Sequence, residues 1–300
     1  MVTSITPENR KLMIMATYGS VVVAVLLAIL KFATWIATDS MSIQASFTDS
    51  MVDSVASLVN FFAVRQAIKP ADKEHKFGHG KIEAIAAQAQ AIFIAGTALW
   101  LIFDGIHRFI QPEPIHKTEL GIYVTLFTLV VTIVLVVFQR YVIKKTKSLI
   151  IKADSLHFSG DVFINLSVLT ALILAHYLQT TWIDTICGVS IGIYILFAAS
   201  KISRESFNML VDRELPDDEI EQIEKAILSH PKVRGFHDLK TRTSGPHKFI
   251  QLHLELDGSM PLFEAHTISI EVANILYKTI PGAEITIHED PFDDRHVEKH

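Results

Sequence analysis

The sequence predicts an α-helical membrane protein with six transmembrane helices, followed by a small cytoplasmic α+β domain. Three observations carry this. Half of the 300 residues are hydrophobic, and mean hydropathy is +0.35, above an ordinary soluble domain. Long apolar runs recur at roughly 13–36, 42–66, 83–109, 120–142, 153–178 and 183–203, each near the ~20 residues that cross a bilayer. From residue 209 on, the apolar runs stop and charge rises.

The first run, "IMATYGSVVVAVLLAILKFATWIA", is too long for a cleavable signal peptide and no small-residue cleavage site follows it. Lys31, near its far end, is expected to snorkel to the interface. The second and fifth runs are interrupted by acidic and histidine residues, which inside a span are rare and functional. The sixth holds the single cysteine, Cys187, which excludes an intrachain disulfide framework. The loop between the second and third runs carries Arg65, Lys69, Lys73, Lys76 and Lys81; that between the fourth and fifth carries Arg140, Lys144, Lys145, Lys147 and Lys152. The opposite loops hold only Arg108 and Lys117. The positive-inside rule then places both termini in the cytoplasm.

Residues 209–300 contain 10 Lys and Arg against 18 Asp and Glu, and 8 of the 14 histidines. An acidic module of this kind excludes a nucleic-acid partner, which needs a basic face. "PDDEIEQIEKAILSH" opens with acids and repeats isoleucine at helical spacing. "KFIQLHLELDG" alternates Ile250, Leu252, Leu254 and Leu256 with polar residues, a half-buried strand. "LFEAHTISIEVANILYKTIPG" is a second helix, and "AEITIHEDP" alternates again. With "HDLKTRTSG" before them, the order is helix–strand–strand–helix–strand, helices packed on one sheet face.

The chemistry lies in the interrupted runs. In "FTDSMVD", Asp49 and Asp53 are four residues apart, so they share a helix face. In "HFSGD", His157 and Asp161 repeat that spacing. At 1.5 Å per residue, the aspartates lie roughly 10, 16 and 13 Å deep, so the two pairs meet near one level. Leaving such charges unpaired costs at least ~2.5–3.5 kcal/mol each, and no intramembrane Lys or Arg is placed to offset them. Three carboxylates and one imidazole suit a four-coordinate Zn²⁺, Fe²⁺ or Mn²⁺. The plainer alternative is that they are protonated, or paired with Asn60, Gln88, Gln90 and Asn165. Asp104, His107 and Asp184, near span ends, suit interfacial roles. In the loop "PADKEHKFGHGKIE", Asp72, His75 and His79 offer one oxygen and two nitrogens within eight residues. A solvated loop with incidental histidines reads equally well there.

"TDSMVD" and "HFSGD", with "FGHGKIE", "VDRELPD", "HDLKTRTSG", "FIQLHLELDG" and "IHEDP" in order, resemble the cation diffusion facilitator family, in particular its bacterial iron and zinc exporters. The resemblance covers nearly the whole chain. It implies a transmembrane transport domain over 1–208 and, over 209–300, a ferredoxin-like, metallochaperone-like αββαβ domain that binds metal and dimerises. It implies a multi-pass homodimer in the bacterial inner membrane that exports Zn²⁺, with Fe²⁺ and Cd²⁺ as further substrates, in exchange for protons. The transport ligands implied are Asp49, Asp53, His157 and Asp161; aspartate at the first position, histidine in many zinc-dedicated relatives, implies looser metal discrimination. A secondary site at Asp72, His75 and His79 is implied as well. So is a binuclear site at His237, His253, His266, His288 and the bridging Asp290, near a dimer interface. Lys81 and Asp212 match a salt bridge between the membrane and cytoplasmic layers. Glu289 departs from close relatives, which carry glutamine there.

Other function classes fit the residues less well. A metal-dependent enzyme needs an open coordination position and a nucleophile–base pair, and no HExxH motif is present. A membrane-anchored metal sensor leaves the intramembrane pairs without a purpose. An exporter of organic cations calls for an aromatic-lined cavity rather than a tight ligand cluster.

Overall fold

A computed structural model describes residues 6–38, 41–110, 119–178 and 182–292, with the side chains of most of them. Lys117, Asp184 and Cys187, singled out above, lie outside the described side chains. The chain divides into two compact units, Pro7–Phe207 and the residues from Asn208 on.

The first unit is six long helices: α1 (Pro7–Thr38), α2 (Met41–Ala67), α3 (Lys81–Ile110), α4 (Glu119–Thr146), α5 (Leu149–Leu178) and α6 (Trp182–Leu210). Each coincides with one apolar run and extends it into the flanking polar sequence. Among the described residues, α1, α3 and α4 are apolar enough to cross a membrane by length and composition, with mean hydropathies of 2.4, 1.7 and 2.2. α2, with Asp49 and Asp53, is not among them, as expected where a functional cluster interrupts a span.

Outward-facing side chains such as Ile29, Phe62, Trp100, Val134 and Phe197 are apolar and exposed, a surface suited to lipid. Inside, α1, α4 and α5 share an apolar seam of Ala24, Leu135, Val136 and Phe158. A second seam joins Ile94 and Ala98 of α3 to Ile195 and Ala199 of α6, with Leu156 of α5 against it. Two glycines let α6 approach closely. A Cβ on Gly192 would meet Ile102 Cγ1 at 2.7 Å, and one on Gly160 would meet Ile195 Cδ1 at 3.0 Å. Close backbone approach through small residues is how membrane helices gain packing without a hydrophobic driving force between them.

The second unit follows the expected order: α7 (Asp217–Leu228), β1 (Gly235–Ser244), β2 (His247–Asp257), α8 (Leu262–Thr279) and β3 (Glu284–Phe292). The sheet order is β1-β2-β3, with β1 antiparallel and β3 parallel to β2. Ile250, Leu252, Leu254 and Leu256 of β2 meet Ile223 and Ile227 of α7 and Ile268, Val272 and Leu276 of α8. The strand's period of two sends its other residues, among them His253 and Glu255, to the face without helices.

Candidate functional site

α2 and α5 pack together and bring the intramembrane pairs into contact. His157 Nε2 is 2.8 Å from Asp53 Oδ1 and 4.0 Å from Asp161 Oδ2. One ligand atom from each of Asp53, His157 and Asp161 lies within 4.8 Å of the other two. A tetrahedral shell with ~2.0 Å bonds spaces its ligand atoms by roughly 3.3 Å, so a cation fits after shifts below an ångström. Asp53 and His157 are nearly enclosed, with side chains 12% and 10% exposed.

Asp49, the fourth expected ligand, is not in this close trio. It stands one turn away on α2, more open, and lines both cavities that reach the site. The smaller cavity, about 160 Å³, lies among α1, α2, α4 and α5; the larger, about 480 Å³, lies among α2, α3, α5 and α6. Asp49, Asp53 and Asp161 line both.

The plainer expectation, that amides neutralise these carboxylates, does not describe the geometry. Asn60 donates to Gln90 Oε1 at 2.8 Å and to Asp154 Oδ1 at 3.0 Å. Gln88 donates to Ser203 at 2.8 Å, and Asn165 donates to the Asp161 carbonyl of its own helix at 2.8 Å. Two sequence expectations need correction. Lys31 does not snorkel outward: its ammonium donates to Ser50 Oγ at 2.7 Å and the Ser46 carbonyl at 3.3 Å, and it lines the smaller cavity. A lysine is therefore placed among the carboxylates after all. The cause is the close packing of α1 on α2, which leaves Lys31 pointing into their groove rather than along the lipid surface.

Asp154 is a functional candidate that sequence reasoning missed. It is 1% exposed, and its carboxylate accepts from Ser20 of α1 at 2.6 Å, Gln139 of α4 at 2.7 Å and Asn60 of α2 at 3.0 Å. Its spacing to His157 and Asp161, three and seven residues, places it on the same face of α5, which was the available signal. Glu83 was missed too. It is 2% exposed, and its Oε1 accepts from the Leu149 N–H at 2.6 Å, capping the orphan donors that begin α5.

In the α2–α3 loop, Asp72 Oδ1 lies 3.4 Å from His75 Nδ1 and Asp72 Oδ2 lies 3.2 Å from His79 Nε2. The imidazoles sit 4.5 Å apart, and the turn closes through Gly78 at φ +77°, a conformation open to glycine. The backbone N–H of His75, at 2.7 Å, holds the Asp72 carboxyl below the usual carboxylate range. The buried His79 Nδ1 has no hydrogen-bond partner among the described residues. The three side chains fit a cation.

On the open face of the cytoplasmic sheet, register does the gathering. His237, His253 and His288 are successive cross-strand partners on β1, β2 and β3, and Glu255 pairs with Asp290. Asp290 Oδ2 is 2.8 Å from His253 Nδ1 and 3.3 Å from His237 Nε2; its Oδ1 is 3.3 Å from His288 Nε2. Glu255 Oε1 holds His237 Nδ1 at 2.9 Å, leaving Nε2 toward Asp290. This set fits divalent metal. His266 stands apart: it projects from α8, on the sheet's other face, 3.7 Å from Glu289. Asp212, for its part, accepts from Arg242 at 3.3 Å.

Comparison with known proteins gives the family. Residues 18–211 match the cation efflux transmembrane domain, and residues 215–292 match the cytoplasmic domain of cation efflux proteins. The chain belongs to the cation efflux family. It is 45% identical over 285 residues to the cation-efflux pump FieF of Pectobacterium carotovorum subsp. carotovorum (strain PC1), covering 95% of each chain. Identity is 46% over 285 residues to that of Yersinia enterocolitica serotype O:8, again over 95% of each. A solved zinc form of the putative zinc transporter CzrB is 36% identical over 28% of this chain and 98% of its own, with a TM-score of 0.27. The protein is thus a multi-pass membrane transporter with a cytoplasmic domain, and not an enzyme.

Proposed function

We propose that this chain is a proton-coupled antiporter that exports divalent cations, Zn²⁺ with Fe²⁺ and Cd²⁺, across a bacterial inner membrane, its termini in the cytoplasm. The carrying observation is the convergence of Asp53, His157 and Asp161 within 4.8 Å at the meeting of α2 and α5, between two cavities. Asp49, one turn from Asp53 on the cavity wall, completes the four-ligand set by turning inward. These ligands bind metal only when deprotonated, so metal and protons compete for the same atoms. A site that loads metal facing the cytoplasm and protons facing the periplasm exchanges one for the other. His157, hydrogen-bonded to Asp53, is the natural proton acceptor when the cation leaves.

The remaining groups act around that site. Asp72, His75 and His79 form a secondary cation site at the cytoplasmic loop. His237, His253, His288 and Asp290 hold cytoplasmic metal, and His266, apart from them in this chain, joins only if a second copy brings it near. Metal held there stabilises the homodimer by mass action as its concentration rises.

The test is zinc flux in proteoliposomes with and without a pH gradient, for the wild type and Asp53→Ala. Flux that accelerates with an opposing proton gradient and disappears in the variant is expected. Zinc binding without flux in either protein marks a membrane-anchored metal sensor instead.

A further inference from the structure

Lys31 sits inside a cavity built for cations. Among the described residues lining the two cavities, it is the only Lys or Arg. Its ammonium is fixed by Ser50 Oγ at 2.7 Å and the Ser46 carbonyl at 3.3 Å, next in chain to Asp49 and one turn before it. The smaller cavity it lines also exposes Asp49, Asp53 and Asp161. Phe32, Trp35 and Phe47 cluster at this end of α1 and α2, with ring centroids 5.2 to 6.0 Å apart.

We propose that Lys31 is a resident cation that tunes the affinity of the transport site and promotes release of the exported metal. This rests on the reading of Asp49, Asp53, His157 and Asp161 as that site. Charge is the reason. Three carboxylates and a neutral imidazole overbind a dication by one negative charge, and burial makes the surplus costly. One ammonium beside them brings the loaded cavity to neutrality. Lys31 also lies toward the end of α1 opposite its cytoplasmic start, the side by which an exported cation leaves. A fixed positive charge there weakens the grip of the outward-facing site and opposes re-entry. The hydrogen bonds to α2 keep the ammonium from collapsing onto the carboxylates as a permanent counter-ion, which would block the site.

The experiment separates charge from tethering. Lys31→Gln keeps a donor for Ser50 and removes the charge; Lys31→Arg keeps both. Zinc flux of the full chain in proteoliposomes gives KM and kcat, and zinc titration of the full chain in detergent, with an Asp53→Ala titration subtracted to remove the loop and cytoplasmic-sheet sites, gives the equilibrium affinity of the transport site. Lys31→Gln is expected to lower KM by about tenfold or more and to lower kcat with it, because a stronger Coulombic hold slows release. Its zinc affinity rises in step, and Lys31→Arg stays near the wild type in all three. If Lys31→Gln keeps wild-type KM and affinity, or raises KM, the tuning role is wrong whatever happens to kcat. Should the Gln variant not be recovered folded, Lys31→Arg decides alone: a KM shifted more than a few-fold overturns the proposal. A wild type without zinc flux, or an Asp53→Ala variant with full flux, overturns the transport reading, and this inference falls with it.

Discussion

The two candidate metal clusters are assembled by different geometry and meet water differently. In the membrane unit, residues four apart on two helices interlock, and Asp53 and His157 are 12% and 10% exposed. In the cytoplasmic unit, three histidines line up through strand register, and His237 and His288 remain 45% and 65% exposed. A buried cluster is costly whenever its charges are unbalanced, so it must exchange one positive ligand for another rather than stand empty. The open cluster is solvated when metal is absent and can fill and empty with concentration. The difference suits a carrier in one place and a reporter of cytoplasmic metal in the other.

Asp53→Ala breaks that comparison most sharply. Zinc flux is expected to fall by at least ~100-fold, with zinc binding at the cytoplasmic sheet unchanged; loss of both together means the two clusters are one cooperative unit. Asp154→Ala comes next. It strips the acceptor from Ser20, Gln139 and Asn60 and leaves buried donors unpaired, a cost of about 3 kcal/mol, read as a lower thermal midpoint in detergent. An unchanged midpoint shows that water replaces the carboxylate there. Glu255→Gln acts on the open cluster alone. By loosening the bond that orients His237, it should weaken zinc binding there by roughly 10-fold, with flux at saturating metal within about twofold of wild type; an equal loss of flux would make the reporter part of the carrier.

The smallest effect belongs to the loop. The His75 N–H holds the Asp72 carboxyl low, so its folded form loses protons more readily than an unfolded chain does. The support it gives the turn is therefore complete above the ordinary carboxylate value of ~3.9 and fades only as pH falls below it. At neutral pH, Asp72→Ala should speed hydrogen exchange at the Glu74 and His75 amides, which donate to Asp72 Oδ1 at 2.9 and 2.7 Å. Unchanged exchange would show that the carboxylate is not what closes the turn.

Much of this was legible in the chain. Spans and strands announce themselves through hydrophobic period, and the ligand pairs through i, i+4 spacing of residues that do not belong in lipid. Asp154 escaped because its partners, Ser20, Asn60 and Gln139, lie on three other helices at separations with no period. Lys31 was misread because snorkelling is a property of an isolated helix, and the groove with α2 decides otherwise. His266 was grouped with the other histidines by the family resemblance alone; within one chain α8 covers the apolar face of the sheet, so His266 lies opposite His253.

The carboxylate of Asp154 also limits how the bundle can change shape. One buried point ties α5 to α1, α2 and α4 at once, so any opening that keeps those bonds carries the four helices as a single block. Freedom is left to the glycine-lined boundary with α6, where Gly160 and Gly192 meet side chains of Ile195 and Ile102 that can slide without surrendering a hydrogen bond. On the cytoplasmic side that boundary is pinned by Lys152 to Glu205 at 2.5 Å and Gln88 to Ser203 at 2.8 Å. Among the described residues α6 is thus stitched to its neighbours at one end, the mechanical layout of a pair of tongs.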